Sequence, residues 1–428
     1  MKLTNENYCC TVVKIHDLLK LEGLDNLKGF PIFGFQALVN SEYKVGELYL
    51  VFTAECKLSD EFCKQNNLYA HSYLNLDPEA KGYLGDNGRV RAIKLRGHVS
   101  NALVLPVSAL SYLGEVDLKE GDSFNEINGV EIVTKYEIIN RARGSKNRAQ
   151  KGPRKVSLLS QKSIPEHYDT SHWGRNEHKV NDETTIIVSQ KIHGTSFRAA
   201  NQQIRTYPKR VLKALDFLYR KGWGNNKLVK LFEKLTAKIK WKTIAASRRV
   251  LKIIDLEAEG FYDLDVWNQE LEKIAHLIPK NWVIYGELIG WSGNKPIQKN
   301  YTYNIPVGEH VLYVYRVAIV NEDGHSFDLP QKDMEKWCNS VGLKICPVIF
   351  IGQKGDFDYT KYMDIKYFES GMRQCVPLSK DSPVDEGVVI RVEDGIAPVF
   401  YKAKSPIFLG HETKELDEGI VSMEDLES

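Results

Sequence analysis

The chain has 428 residues, 43% hydrophobic and 27% charged, with a formal net charge of only +2, which is ordinary for a soluble globular protein of two or three domains. Apolar runs such as residues 102–107 are far too short to span a bilayer, which excludes a membrane-embedded class and leaves no membrane partner expected. Seven cysteines without a CxxC pair suggest neither a disulfide framework nor a zinc site, and the polar opening MKLTNENYCC offers no signal-peptide core; buried free thiols in a cytoplasmic, intracellular protein are expected.

Charge is segregated along the chain. Residues 141–155 hold seven basic side chains and no acid, and the stretch from Arg205 to Lys242 holds twelve against Asp216 and Glu233. The rest is therefore net acidic, and two basic blocks in an almost neutral chain are what a polyanion-binding face looks like. Two solvated faces with no partner would also read this way.

In chain order, residues 1–140 read as strands: β-rich runs at 11–15, 32–39, 48–53, 90–95, 102–107 and 130–139 are broken by Gly, Asn and Asp turns. Five or six short strands over that length predict a small closed barrel. Residues 141–181 are basic and rich in Gly, Ser and Asn, a linker or strap. A second β-rich region spans 182–410, interrupted at about 203–244 by a basic helical insertion. There a helix is expected over 211–219, a turn over 222–226, and then an amphipathic helix. Its Leu228, Leu231, Leu235 and Ile239 would face the core, and Lys227, Lys230, Lys234 and Lys238 would form an adjacent basic stripe. Residues 411–428 are expected as an acidic, loosely docked C-terminal tail.

The chemistry is carried by five segments. In Ser189-Gln190-Lys191-Ile192-His193-Gly194-Thr195, a β-branched run delivers a lysine to a strand end, and a glycine three residues on permits close backbone approach. Alone, that tetrad is also what a surface lysine before a turn looks like. The others are Ser247-Arg248-Arg249, Tyr285-Gly286-Glu287-Leu288-Ile289-Gly290, Asp385-Glu386-Gly387-Val388-Val389-Ile390-Arg391 and Tyr401-Lys402-Ala403-Lys404. Lys402 and Lys404 point to one face of a strand. Glu386 directly before one apolar run and Glu287 inside another put carboxylates where a core is expected, and there they require cationic or metal partners.

Taken in order, KxHGT, SR, YGELIG, YVYR, EGVVIR and YKAK resemble the nucleotidyl-transfer motifs of the covalent nucleotidyltransferases, the superfamily of RNA ligases, DNA ligases and mRNA capping enzymes. His193, where DNA ligases usually carry aspartate, is similar to the nick-sealing RNA ligases, and RVRAIKLRGHVSNALVLP after a barrel-like region resembles the N-terminal OB domain of the Deinococcus-type RNA ligases.

The resemblance implies an α+β protein: an OB-like β-barrel (1–140), a basic linker (141–181), an antiparallel-sheet nucleotidyltransferase domain of the ATP-grasp-like ligase kind with its insertion (182–410), and the tail (411–428). It implies an ATP-dependent RNA ligase joining 5′-phosphate and 3′-hydroxyl ends through lysyl-AMP and RNA-adenylate, for RNA repair or nick sealing, with Mg²⁺ or Mn²⁺ and acting as a monomer.

By the same resemblance Lys191 forms the lysyl-AMP, and Glu287 holds the ribose hydroxyls or a metal-bound water. Glu386 helps hold a divalent cation, and Arg248 contacts phosphate and ribose. Lys402 and Lys404 contact the α-phosphate, Tyr315 stacks on adenine, and His193 assists metal or triphosphate placement. Arg248 competes with Arg249 and Arg205 for its role, and Tyr315 with an ordinary place in the core. Gln190 stands where many RNA ligases carry glutamate, and Arg316 where phage members often carry aspartate. The 57 residues from Lys191 to Arg248 hold the insertion, read as a clamp in which Lys227, Lys230, Lys234 and Lys238 grip RNA phosphates. DNA ligases and capping enzymes generally carry their OB domain after the last lysine motif, where 24 residues remain here. A non-enzymatic OB-fold RNA binder would leave the paired lysines and carboxylates unexplained.

Overall fold

The computed structural model describes residues 1–137, 163–167, 170–248, 250–252, 265–321 and 323–418. The basic block 141–155, Arg249 and the chain beyond 418 lie outside them, so the expected linker and tail are described only in part.

The N-terminal region is made of short antiparallel strands: β1 (Cys10–Lys14), β2 (Leu27–Ile32), β3 (Phe35–Asn40), β4 (Leu48–Thr53), β5 (Ala102–Pro106) and β6 (Ser123–Phe124). One sheet has the order β6-β1-β4-β5; β2 and β3 form a separate sheet with Leu19–Lys20. Among the described residues these sheets do not close into a barrel, which corrects the closed-barrel expectation. The run at 32–39, expected as one strand, folds back at Phe33-Gly34, where both residues have positive φ (52° and 81°), the turn geometry that suits a twisted hairpin. The hairpin then meets the other sheet through Asn101 N–H to the Gln36 carbonyl (2.9 Å) and Leu38 N–H to Ser100 Oγ (2.9 Å) rather than through a ladder. Residues 90–95 likewise yield only a short strand, Ile93–Leu95. All seven cysteines are buried and free, as expected.

The second region holds two sheets. The first consists of β7 (Ser171–His172), β8 (Thr185–Lys191), β13 (Val348–Gln353), β14 (Gly387–Val392) and β15 (Val399–Lys404), in the order β7-β15-β14-β8-β13, antiparallel except for β7 against β15. The second is built on β9 (Thr195–Thr206), β10 (Lys238–Ala246), β11 (Trp282–Ser292) and β12 (His310–Val320), with order β10-β9-β11-β12 and short strands at its margins. The architecture is α+β with antiparallel sheets. β8 belongs to one sheet and β9 to the other, so Ile192-His193-Gly194 is the turn by which the chain crosses between them. An apolar cluster including Ile192, Ile289, Tyr301, Val376 and Phe408 gathers around this crossing.

The insertion departs most from expectation. Its helices are α1 (Lys209–Arg220) and α2 (Lys227–Thr236), between β9 and β10. The leucine stripe expected to face the core instead faces outward: Leu228, Leu231, Leu235 and Ile239 are 74%, 52%, 75% and 65% exposed. Val229 and Glu233 are buried in their place. The cause is the Glu233 carboxylate, which accepts from Tyr219 Oη (2.9 Å), Tyr207 Oη (3.3 Å) and Arg205 Nη1 (3.4 Å). A buried, triply bonded carboxylate fixes the rotation of α2 more strongly than exposed leucines can oppose it. Ile239 lies in β10, beyond the end of the helix.

Two further expectations are revised. Trp173 is fully buried beside β15, so the end of the expected linker is packed structure. Residues 411–417 are the last turns of helix α3 (Pro406–Asp417), not a frayed tail. Arg89, buried in the N-terminal region, donates to both Glu55 oxygens (3.0 and 2.8 Å) and to Asp417 (2.7 Å), and Thr413 donates to Glu55 (2.8 Å). This network fastens α3 to the N-terminal region. No helix among the described residues is long and apolar enough to cross a membrane.

Candidate active site

Strand register assembles the site. Lys191 pairs with Gly387, and Gly387 with Lys404, so two lysines flank one glycine across three adjacent strands. Directly opposed residues share a face of the sheet, and so do residues two apart on a strand. Lys402, opposite Val389, therefore stands on the same face one step along. Gly387 has no alternative: its φ is +140°, and a Cβ there would lie 2.0 Å from the Ala403 carbonyl oxygen. Gly387→Ala is expected to displace β14 from β15 and to destabilise the chain by about 3 kcal/mol. Thermal melting checks this; a melting temperature equal to wild type would show that the row tolerates a side chain.

Glu386, immediately before β14, fills the space between the lysines. Its side chain is 2% exposed; Oε1 lies 2.8 Å from Lys191 Nζ and 3.3 Å from Lys404 Nζ. Burial opposes the charged form, but Lys191 first and then Lys404 overcome it and hold the Glu386 carboxyl well below the usual range. The adjacent Asp385 behaves oppositely: burial pushes it up to about 6 despite hydrogen bonds from Tyr367 N–H and Gln190.

Gln190 faces away from Lys191, as strand alternation dictates. It is buried, donates to Asp385 (2.7 Å) and the Val376 carbonyl (3.2 Å), and accepts from Val376 N–H (2.8 Å). Its place is thus to lock the Asp385-Glu386 segment onto β8.

The crossing turn is held as firmly. His193 N–H donates to Tyr303 Oη (2.7 Å), Gly194 N–H to Glu287 Oε1 (3.0 Å), and Gln298 Nε2 to the Gly194 carbonyl (2.6 Å). Gly194 must lack a Cβ, which would sit 2.2 Å from the Leu288 carbonyl. The His193 ring is boxed edge-on by Tyr301 and Phe408 and places Nδ1 3.5 Å from Glu386 Oε2.

Glu287, on β11 opposite Ser196 and Tyr313, joins the second sheet to this turn. Tyr315 is the extra residue of a β-bulge, since Tyr285 pairs with Arg316 and Gly286 with Val314. Burial, and then the Glu287 charge, push its phenol up. Arg316 is buried in an ion pair with Asp328 (2.5 Å) over the Tyr285 ring, so this departure from the motif serves the core.

The structure thus brings together Lys191, His193, Glu287, Glu386 and Lys404, with Lys402 on the same face. Arg248 is half-buried beyond the end of β10, off the Lys191-Gly387-Lys404 row. Arg205, its rival, is engaged with Glu233 in the insertion, and Arg249 lies outside the described residues. Lys227, Lys230, Lys234 and Lys238 are exposed on the insertion and take no part in the cluster.

One residue escaped the sequence reading. Glu412 on α3 accepts from Lys404 with both oxygens (3.0 and 3.1 Å). No spacing signal announces a helical carboxylate eight residues beyond its partner in a segment that reads as an acidic tail.

The donor set fits a divalent cation in part. Among the described residues, Glu386 Oε2 is buried with no polar partner nearer than the long 3.5 Å contact to His193 Nδ1, the kind of oxygen a hard cation takes. The described residues hold no cluster of three or more metal-ligating side chains. A cation here would take its other ligands from substrate phosphates and water, as Mg²⁺ ordinarily does.

Comparison with known proteins agrees with this architecture. The RNA ligase family model matches residues 184–408, just over half of the chain. No curated protein matches it. Among solved structures, Naegleria gruberi RNA ligase with PPi is similar at 16% identity and TM-score 0.57, covering 96% of this chain and 100% of that one. A mutant of the same enzyme with ATP and Mn aligns at 15% identity and TM-score 0.56, over 94% and 98% of the two chains. Another mutant, with AMP and Mn, aligns at 14% identity and TM-score 0.54, over 94% and 98%.

Proposed function

The chain belongs to the RNA ligase family, and we propose that it uses ATP to join RNA 5′-phosphate and 3′-hydroxyl ends, with Lys191 as the residue that receives AMP. The observation that carries this is the Lys191-Gly387-Lys404 row with the buried Glu386 carboxylate 2.8 Å from the Lys191 amine. A lysine held by a buried carboxylate beside a second cation is positioned rather than free, and phosphoryl-type transfer depends on positioning and charge stabilisation.

In this reading Lys191 Nζ attacks the α-phosphate of ATP and pyrophosphate leaves. AMP then passes to an RNA 5′-phosphate, and a 3′-hydroxyl displaces AMP to seal the strand. Lys402 and Lys404 hold the α-phosphate, Arg248 contacts phosphate and ribose, and Glu287 holds the ribose hydroxyls. Tyr315 stacks on adenine, and His193 steadies the triphosphate. Glu386, with Glu287 through water, would hold Mg²⁺ or Mn²⁺, which supplies charge neutralisation at the phosphates when bound. The Naegleria gruberi structures with ATP or AMP and Mn support that cofactor set.

The reading extends to the whole chain. Residues 1–140 serve as an OB-like domain of the Deinococcus-type RNA ligases, with open sheets, and 182–410 as the nucleotidyltransferase domain. The substrate is RNA, taken as a nicked duplex during repair by a cytoplasmic monomer. Lys227, Lys230, Lys234 and Lys238 contact RNA phosphates from the insertion. Changing all four to glutamine is expected to weaken RNA binding at low salt by roughly tenfold or more and to flatten its salt dependence. Binding isotherms from 50 to 200 mM salt test it; identical slopes would remove the insertion from the RNA interface.

The deciding experiment incubates the protein with α-labelled ATP or GTP and Mg²⁺. Label carried covalently on Lys191 from ATP and not GTP is expected. Label from GTP would indicate a capping-type guanylyltransferase, and no covalent label would indicate a binding protein. Nicked duplexes differing only in whether the 3′-hydroxyl strand is RNA or DNA then test the substrate.

A further inference from the structure

We propose that Glu412 is a positioning residue, a resident counter-ion that occupies Lys404 until a nucleotide phosphate displaces it. The inference rests on the assignment of Lys404 to phosphate in the functional reading above. An ammonium group has three N–H donors. Those of Lys404 face three carboxylate oxygens: both of Glu412, at 3.0 and 3.1 Å, and Oε1 of Glu386, at 3.3 Å. A phosphate can reach Lys404 only if one carboxylate gives way.

Glu386 is poorly placed to do so. It is 2% exposed, shared with Lys191, and set between Asp385, which Gln190 and Tyr367 N–H both bond, and the sterically locked Gly387. The Glu412 side chain is 31% exposed, and its hydrogen bonds go to Lys404.

The helix that carries Glu412 stays fixed. Asp364 accepts from Ser405 Oγ (2.6 Å) and Ile407 N–H (3.0 Å) at its start. Thr413 donates to Glu55, and Arg89 holds Asp417, near its end. Displacement therefore needs only rotation of one side chain. A phosphate carrying more charge and more acceptor oxygens than a carboxylate can drive that exchange. The charges support this picture: burial opposes ionisation of Glu412, and Lys404 nonetheless holds its carboxyl below the usual range. Without nucleotide the pairing keeps Lys404 from repelling Lys191. With nucleotide it is a competitor that must be removed.

The test is single-turnover formation of the covalent nucleotide adduct by the full chain with Mg²⁺ over a range of ATP concentrations, comparing wild type, Glu412→Gln and Glu412→Asp, with kcat and KM standing for the limiting rate and the half-saturating ATP concentration. Glu412→Gln keeps the shape and removes the competing charge, so KM for ATP is expected to fall three- to tenfold with kcat within twofold. Glu412→Asp, which keeps the charge on a shorter arm, is expected between it and wild type. A control, Thr413→Val, loosens the helix at Glu55 without touching Lys404 and is expected to leave KM unchanged or higher. An unchanged or raised KM in Glu412→Gln, or a fall in kcat alone, would overturn the proposal and leave Glu412 a structural residue. Wild type that forms no adduct would overturn the functional reading and this inference with it; wild type that labels normally beside an unaltered Glu412→Gln would overturn this inference alone.

Discussion

Lys191→Met is expected to abolish transfer of AMP from ATP to the protein, by roughly 10³-fold or more, while leaving the chain folded. The fold should survive because Glu386 retains Lys404 at 3.3 Å, and methionine matches the reach of the lysine stem at a half-buried strand end. The variant also separates the nucleophile from a merely structural lysine. If Lys191 only carries AMP, Lys191→Met should still seal a nick whose 5′ end is already adenylylated, since that step needs no lysyl-AMP. Wild-type levels of ATP-dependent labelling in the variant would move the nucleophile elsewhere. Loss of both activities in a well-folded variant would show that the amine also serves the sealing step.

The second large effect is expected at Glu386. Glu386→Ala leaves two ammonium groups facing one another across Gly387 without their shared carboxylate. Breaking a buried ion pair by removing one partner costs about 3–5 kcal/mol. Glu386→Gln should lose less, since the amide can still accept a hydrogen bond, yet adenylylation should fall sharply in both.

The pH dependence follows from the direction of the shift. The Glu386 carboxyl is held below its ordinary range by Lys191 and Lys404 against the effect of burial. Its stabilisation is therefore fully present above the ordinary glutamate range and is lost as pH falls below that range toward the lowered value. Melting curves from pH 7 downward should show wild type and Glu386→Gln converging in acid. Parallel curves would mean that the carboxylate contributes no linked stability.

Much of the site was legible because strand chemistry is local. Lys402 and Lys404 had to share a face by alternation, Glu386 beside an apolar run was expected to meet cationic or metal partners and meets two lysines, and the glycine three residues after Lys191 marked a close backbone approach that the structure shows. The insertion helix was legible as a helix but not in its orientation. Periodicity located the leucine stripe of 228–239, yet a single buried carboxylate with three donors turned that stripe to solvent. Residues 32–39 misled for a related reason: Phe33-Gly34 looked like strand continuation but took two positive φ angles and folded the strand back.

The sequence by itself put Lys402 and Lys404 on one strand face and singled out Lys191, His193, Glu287 and Glu386 as candidates, because residue type, order and the two-residue period of a strand are properties of the chain alone. Only the tertiary structure decided the rest: that Gly387 brings Lys191 and Lys404 into one row, that Gln190 turns inward to lock Asp385, and that Glu412 returns from a helix fastened to the N-terminal region to meet Lys404. Each of these depends on register and docking between segments tens to hundreds of residues apart. Those contacts are fixed by burial and by the pairing of buried charge, which no local window of sequence contains.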